Sequence, residues 1–192
     1  MADNDSALAV SVAIGTSAGN ATLAAQGRAS TGFVIRSNVL TRPADVIAYA
    51  SGDLVSSSTT AGSCSPLTFT GLTTTTQYAG ITRIERVRIR TSSTSITAAS
   101  FRVHFYAATA AVSNGDNGAW LTPVTDYVGA CDITLDRAFT NGAEGAGVPL
   151  VGSAILAAVT AGSDLYAMIE ARAAYTPTSA GTFTVILEGS RL

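Results

Sequence analysis

The chain contains few of the residues that catalytic and metal sites usually require. Its 192 residues include one histidine, two cysteines and no lysine, and only 12% are charged. Acid–base and nucleophilic catalysis need a histidine, carboxylate or nucleophile held beside a partner group. Asp126, Asp132 and Asp136 read as strand-end and solvent-face acids rather than as a cluster. We therefore expect a protein that is not an enzyme and that uses no cofactor.

The charge balance also excludes classes of partner. All 11 basic residues are arginine, and the formal net charge is −2. A general nucleic-acid binder needs a basic surface to neutralise phosphates, so we expect no nucleic-acid partner. The first residues carry acids where a signal peptide carries basic residues, and the apolar stretch 7–14 is too short to span a bilayer. We therefore expect no membrane partner.

The two cysteines, Cys64 and Cys131, do not have the spacing of a metal site. Cys131 lies in an alternating run, in phase with Ile133 and Leu135. That phase favours a buried free thiol. A disulfide between the two cysteines remains the alternative.

Beyond residue 30 the sequence consists of apolar or alternating runs separated by turn residues, without a long amphipathic helix. This pattern predicts an all-β domain over residues 31–192, an antiparallel β-sandwich with the jelly-roll arrangement of about eight strands. Residues 1–30 have few large apolar side chains, so we expect an extended N-terminal arm, with one strand at 8–14, that orders only against a partner. The predicted strands are 33–40, 46–55, 67–72, 81–91, 101–108, 127–135, 165–174 and 182–188, with 151–159 a ninth strand or a short helix.

Alternation assigns side chains to faces because successive residues of a strand point to opposite sides. In residues 81–90 the phase breaks, since Ile84 and Val87 cannot share one face of a regular strand. A β-bulge near Glu85–Arg86 would restore it and would turn Val87 and Ile89 inward. In the other strands Phe101, Val103, Phe105, Phe183, Val185 and Leu187 are expected to point inward, and Thr182, Thr184 and Glu188 outward.

The outward side chains of two strands form the candidate surface for docking a partner. If residues 81–91 and 101–108 pair as a hairpin, their polar side chains lie next to each other. Arginine-rich surfaces suit an acidic or carbonyl-rich protein partner. A solvated sheet face is the alternative interpretation. The candidate docking residues are Arg86, Arg88, Arg90, Arg102, His104 and Tyr106.

Two loops contain groups that could bind a ligand. Gly142–Gly147 is glycine-rich but lacks the Lys-Ser/Thr ending of a phosphate loop, so we expect a flexible loop. Asn114–Gly118 carries oxygen ligands but lacks the spacing and the final glutamate of a calcium loop. Trp120 beside this loop is the best candidate for an aromatic residue of a sugar site. No metal site is expected.

Three groups of residues resemble small proteins from the structural gene clusters of tailed bacteriophages. The resemblance spans about residues 38–190, does not include the N-terminal arm, and departs from the group's pattern around 137–160, which is richer in Gly and Ala. The groups are Thr41-Arg42-Pro43-Ala44-Asp45 with Ala48-Tyr49-Ala50 and Gly52-Asp53; Phe101–Tyr106 with Asp116-Asn117-Gly118-Ala119-Trp120; and Ala174-Tyr175-Thr176-Pro177-Thr178.

This resemblance implies a virion structural protein, made in the host cytoplasm and located on the outer surface of the capsid. The implied role is head decoration, in which a cement protein binds and stabilises the shell of major capsid protein. Low surface charge and long sheet edges further favour a homo-oligomer or a protein that is stable mainly on its assembly. The alternative function is a tail-associated or fibre-associated module that binds a host-surface glycan.

Overall fold

The computed structural model describes residues 33–70, 72, 81–110, 112, 114–121, 124–150, 155–158 and 165–191. This part of the chain contains no helix, and so none that could cross a membrane. The expected arm over residues 1–30 and its strand at 8–14 lie outside the described residues. Eleven strands form two antiparallel sheets: β1 Phe33–Thr41, β2 Leu54–Val55, β3 Leu67–Phe69, β4 Ile81–Thr91, β5 Ser100–Tyr106, β6 Tyr127–Thr134, β7 Arg137–Phe139, β8 Gly142–Gly147, β9 Ile155–Ala158, β10 Leu165–Ala171 and β11 Thr182–Arg191.

The strand order confirms the predicted jelly roll. The first sheet, called here the β4 sheet, has the order β1-β11-β4-β8-β7, with β9 also paired to β4; the second, the β5 sheet, has the order β2-β10-β5-β6, with β3 also paired to β10. If β2 and β3 count as one position, and β7 to β9 as one, the described part of the chain has eight strand positions. In the β4 sheet these positions have the order first–eighth–third–sixth, and in the β5 sheet second–seventh–fourth–fifth. This is the arrangement of two Greek keys in a jelly roll.

The core lies between the inner faces of the two sheets. Val87 and Ile89 of β4 and Phe101 and Val103 of β5 are all fully buried there. The ring of Phe101 also packs edge-on against that of Phe183, with the centroids 5.2 Å apart. Such edge-on aromatic contacts add to the stabilisation that burial alone provides. The inward positions predicted for β5 and β11 are confirmed.

The bulge predicted in the fourth strand is present. Glu188 of β11 pairs with Arg86, but the next residue, Gly189, pairs with Ile84, so Glu85 is the extra residue. Both Ile84 and Val87 are consequently buried. A side chain at Gly189 would lie 2.0 Å from the carbonyl oxygen of Arg83, so the bulge needs glycine at that position.

The prediction for residues 142–147 is wrong, because this segment is strand β8 and not a flexible loop. Its glycines allow close approach to the other sheet rather than flexibility. A Cβ atom at Gly145 or Gly147 would lie 2.1 Å from the carbonyl oxygen of Thr134 or Asp132 in β6. Glycine in a strand often marks such a close approach of two backbones.

Other boundaries also differ from the sequence prediction. Of residues 46–55 only Leu54–Val55 form a strand, and the preceding residues are a loop. The short strand β7 was not predicted. The ambiguous segment 151–159 contains strand β9 at Ile155–Ala158, its other residues lying outside the described part.

Side chains of the edge strand β1 form hydrogen bonds with some of its own backbone groups. Asn38 Nδ2 donates to the carbonyl of Thr68 at 2.6 Å, which links β1 to the β5 sheet. Asn38 Oδ1 accepts from the backbone N–H of Val39 at 2.7 Å, and Arg36 Nη1 donates to the carbonyl of Ile35 at 2.8 Å. Capped backbone groups are less able to pair with another strand. Pairing of another strand at these two positions would require both contacts to break.

Candidate functional site

The candidate docking residues lie on opposite faces of the sandwich. Strand β4 belongs to one sheet and β5 to the other, so the expected hairpin between them is wrong. The chain crosses from one sheet to the other through residues 92–99 instead of turning back within one sheet. Arg86, Arg88 and Arg90 point to the outer side of the β4 sheet, and Arg102, His104 and Tyr106 to the outer side of the β5 sheet.

The arginine row on β4 is paired with glutamates from the neighbouring strands. Arg86 Nε lies 2.5 Å from Glu188 Oε2, and Arg88 Nη2 lies 2.7 Å from Glu188 Oε1. Arg90 Nε lies 2.5 Å from Glu144 Oε2. Burial raises the pKa of Glu144. The hydrogen bonds that Glu144 accepts from Arg90 and Arg88 lower the pKa by a larger amount, so it lies below its ordinary value. The row is thus an ion-paired network and not a set of free positive charges.

In the described part of the chain, the outer face of the β4 sheet has several exposed side chains. The side chains of Arg86 and Arg90 are each 55% exposed, against 21% for Arg88 between them. Strand β1 adds two exposed apolar side chains, Ile35 at 51% and Val39 at 54%. Exposed guanidinium groups beside apolar side chains are typical of protein interfaces. Docking through this row stays a prediction.

The described residues of the connection between β5 and β6 (107–110, 112, 114–121 and 124–126) cover part of the outer face of the β5 sheet. Trp120 of this connection stacks on His104, with the ring centroids 4.3 Å apart and the planes at 18°. His104 is consequently only 8% exposed, and Tyr106 is buried. Both point outward as predicted, but neither is available at the surface. A small apolar cluster joins this connection to the sheet. It consists of Leu54, Tyr106, Ala110 and Met168, with Val112, Trp120 and Tyr166 packed against it.

Hydrogen bonds and ion pairs hold the polar groups beside this covering connection. His104 Nε2 lies 2.8 Å from Glu170 Oε2, and Arg172 Nη1 donates to Glu170 Oε1 at 2.9 Å. Burial lowers the pKa of His104, an effect that Glu170 partly offsets. Nearby, Arg102 donates to both carboxylate oxygens of Asp132 at 2.6 and 2.7 Å, and these bonds lower the pKa of Asp132. These contacts fix the orientation of the imidazole ring.

The loop Asn114–Gly118 uses its carboxylate internally. Asp116 Oδ2 lies 2.8 Å from Arg42 Nη2, and Asp116 Oδ1 accepts from Tyr49 OH at 2.8 Å and from the backbone N–H of Ser56 at 2.7 Å. Both side chains of the Arg42–Asp116 pair are fully buried. Burial raises the pKa of Asp116 in spite of these donors. We call this cluster the Arg42–Asp116 clamp. Its carboxylate faces inward and is not presented to a calcium ion or a sugar.

The clamp also brings together the three groups of residues that carry the phage resemblance. Arg42 and Tyr49 come from the first group and Asp116 from the second. The third joins through Tyr175, whose carbonyl accepts from the backbone N–H of Tyr49 at 2.9 Å. Sequence reasoning missed this cluster because its members, from Arg42 to Tyr175, are separated by up to 133 positions and lie in different connections. Arg42, Tyr49, Asp116 and Tyr175 all lie within the three phage-like groups, but no local pattern pairs them.

The remaining candidate groups offer no site for chemistry. Cys64 and Cys131 are both free and buried, as expected for Cys131, and there is no disulfide between them. Burial raises the pKa of the Cys131 thiol to about 12, so it stays protonated at neutral pH and is unreactive. In the described part of the chain, no three His, Cys, Asp or Glu side chains are grouped so that they could hold a metal ion.

Comparisons with known proteins identify no family. No protein-family model and no curated protein sequence matches the chain. Among solved structures, a chain of Desmodium yellow mottle tymovirus is similar over 84% of this chain and 89% of that one, at 15% sequence identity and a TM-score of 0.23. Neither the fold described above nor any function rests on a TM-score of that size.

Proposed function

We propose that this protein is a non-enzymatic structural component of a tailed-bacteriophage virion, a decoration or cement protein that binds the major capsid protein on the outer surface of the shell. The observation that carries the proposal is the Arg42–Asp116 clamp. Residues that resemble the phage group in three distant segments meet in one buried cluster. The resemblance therefore includes residues that contact one another in the folded domain, which favours a shared fold and a related role.

The docking surface that we assign to this role is the outer face of the β4 sheet, at the end that contains the bulge. Ile35, Glu188 and Arg86 lie side by side across three strands at this end. An exposed apolar side chain next to an exposed guanidinium is a favourable anchor for a protein partner. The β5 sheet is less suited to this role because its own connection covers His104 and Tyr106.

Assembly would add contacts beyond this patch. We propose that residues 1–30 order against the capsid as an arm, which raises the effective concentration of the docking patch. The symmetry of the capsid would bring copies of the protein close together. The copies would form a homo-oligomer, or the protein would be stable mainly on the particle. The alternative, a tail or fibre module that binds a host glycan through Trp120, is less favoured because His104 covers one face of that ring.

The test uses virions of the phage that encodes the chain, with the gene deleted and the full-length protein added back. Binding to the capsid shell in a reconstruction of the particle, at many equivalent positions, is the expected result. Location at the tail or fibre instead would support the alternative function. Absence from every particle, with no binding by the added protein, would contradict both.

Arg86→Glu tests the docking patch, with Arg137→Glu as the matched control. Both arginines are on the β4 sheet and exposed, and both substitutions make the same change of charge. We expect about a tenfold or greater loss of particle binding for Arg86→Glu and little loss for Arg137→Glu. Equal binding by the two variants would place the docking surface elsewhere on the domain.

A further inference from the structure

A groove of about 430 Å³ opens on the outer face of the β4 sheet, at the end opposite to the bulge. Its volume is within the usual range for small-molecule sites, roughly 300 to 1,000 Å³. The docking-patch residues Ile35, Arg86 and Glu188 do not line this groove. The side chains that line it and matter for its chemistry are Arg90, Ser92, Phe139, Asn141, Glu144 and Thr184.

The groove is built on paired strands rather than on loose loops. Strand β8 runs beside β4 along Val87–Thr91, and β7 forms the outer wall as the partner of β8. At Gly142 a Cβ atom would lie 2.3 Å from the carbonyl oxygen of Thr91, so the hairpin can approach β4 only because this residue is glycine. Ser92 Oγ accepts from the backbone N–H of Thr182 at 3.0 Å on the opposite wall. The groove is therefore pre-formed.

The floor of the groove has polar groups without a net charge. Arg90 and Glu144 face each other there, with Nε and Oε2 2.5 Å apart. The guanidinium is more than half exposed, so it can donate to a ligand as well as to Glu144. A paired arginine attracts an anion less than a free one does, whereas a neutral ligand with hydroxyl groups can bond to both members of the pair. Asn141 and Thr184 add an amide and a hydroxyl.

One wall of the groove is an exposed aromatic ring. Phe139 is 54% exposed at the outer edge of the sheet, so it contributes little to the core. Its ring provides an apolar surface next to the polar floor. The axial C–H groups of a sugar ring are apolar, and its hydroxyl groups need donors and acceptors around them. An aromatic wall beside a neutral, hydrogen-bonding floor matches both requirements.

The geometry points to a binding site for a neutral saccharide, with one sugar ring against Phe139 and its hydroxyl groups on the Arg90–Glu144 pair, Asn141 and Thr184. This site is distinct from Trp120, which lies on the other sheet. It goes beyond the proposed function and does not depend on it, because a decoration protein could carry such a site or lack it. The groove selects against anionic sugars, since no unpaired cation lines it among the described residues.

Saturation-transfer NMR on the full-length protein tests the site, with galactose, glucose, mannose and N-acetylglucosamine as neutral probes and sialic acid as the anionic probe. Binding of at least one neutral sugar, with weaker or no binding of sialic acid, is the expected result. No transfer to any neutral sugar would overturn the inference. Binding of sialic acid alone would overturn the assignment to neutral ligands.

Two substitutions then place the ligand in the groove. Phe139→Ala removes the stacking wall and should weaken sugar binding by about tenfold. Arg90→Gln, which keeps a hydrogen-bond donor but breaks the charged pair, should weaken it by a smaller factor. Val39→Ala is the matched control, because Val39 is also 54% exposed on the same face but does not line the groove. If Phe139→Ala binds as Val39→Ala does while both fold normally, the sugar binds elsewhere and the inference fails.

Discussion

The outer faces of the two sheets are formed by strands with a similar alternating pattern, but the surroundings of the two faces differ. On the β4 sheet, Arg86 and Arg90 are exposed above their glutamate partners. On the β5 sheet, His104 and Tyr106 point outward in the same way but lie beneath Trp120 and the rest of the 107–126 connection. Alternation within a strand therefore decides which side a residue faces. A distant segment of the chain decides whether that side reaches the solvent.

The largest effect should come from the clamp that fastens the covering connection. Replacing Arg42 with Met leaves Asp116 as an unpaired buried charge, which typically costs about 3–5 kcal/mol. Urea unfolding of the full chain measures the loss. Arg102→Met is the control, since the pair of Arg102 with Asp132 is partly exposed and its loss should cost about 1 kcal/mol or less. Similar losses for both variants would mean that the clamp does not hold the connection in place.

The next largest loss of stability should come from replacing Trp120, which covers His104. Trp120→Ala removes the indole from the face of His104 and should destabilise the domain by about 2 kcal/mol, less than for a fully buried tryptophan. The pKa of His104 should rise toward its ordinary value, because burial is the main cause of its depression. NMR titration is simple here since the chain has a single histidine. An unchanged pKa would show that Trp120 does not shield the ring.

The open face can be tested through the difference between neighbouring arginines. Arg88→Glu places a carboxylate between Glu144 and Glu188, both of which Arg88 contacts, and should cost about 1–2 kcal/mol. Arg86→Glu should cost less than about 1 kcal/mol, because that side chain is mostly exposed. Thermal unfolding compares the two. A larger loss of stability for Arg86→Glu would mean that the ion pair of Arg86 with Glu188 contributes more than the ion pairs of Arg88 do.

The smallest effect is a pH dependence that belongs to the covered face. The folded-state pKa of His104 lies below its unfolded value, so the unfolded chain binds a proton first as the pH falls. Stability should therefore decrease from about pH 6.5 downward, until the folded-state pKa is passed. Glu170 favours the protonated ring and Arg102 and Arg172 oppose it. His104→Gln should flatten this part of the stability profile, and an unaltered slope would assign it to other groups.

Patterns that are local in the sequence predicted the fold well. Two-residue alternation predicted the inward residues of β5 and β11, and one break in phase predicted the bulge at Glu85. The glycine-rich strand β8 was missed because its glycines serve close backbone contacts that only the packed sheets reveal. Propensity alone favours a loop for such a segment.

The arrangement of the candidate sites depends on contacts that are distant in the sequence. The partition of Arg86 and His104 onto opposite faces follows from the jelly-roll crossover, which strand patterns do not specify. The pairing of Arg42 with Asp116 joins two connections 74 residues apart. The groove beside Phe139 forms where the β7–β8 hairpin meets β4 and the start of β11. None of these arrangements can be predicted before the strand topology is known.

Hydroxyl-radical footprinting of the full-length protein, free and bound to capsids, tests the central claim that the open face is the docking face. The comparison predicts that Ile35 and Arg86 lose reactivity on the particle. Trp120, Leu121 and Val124 of the covering connection should react equally in both states. Protection of the connection, with Ile35 and Arg86 unchanged, would contradict the claim and place the contact on the β5 sheet.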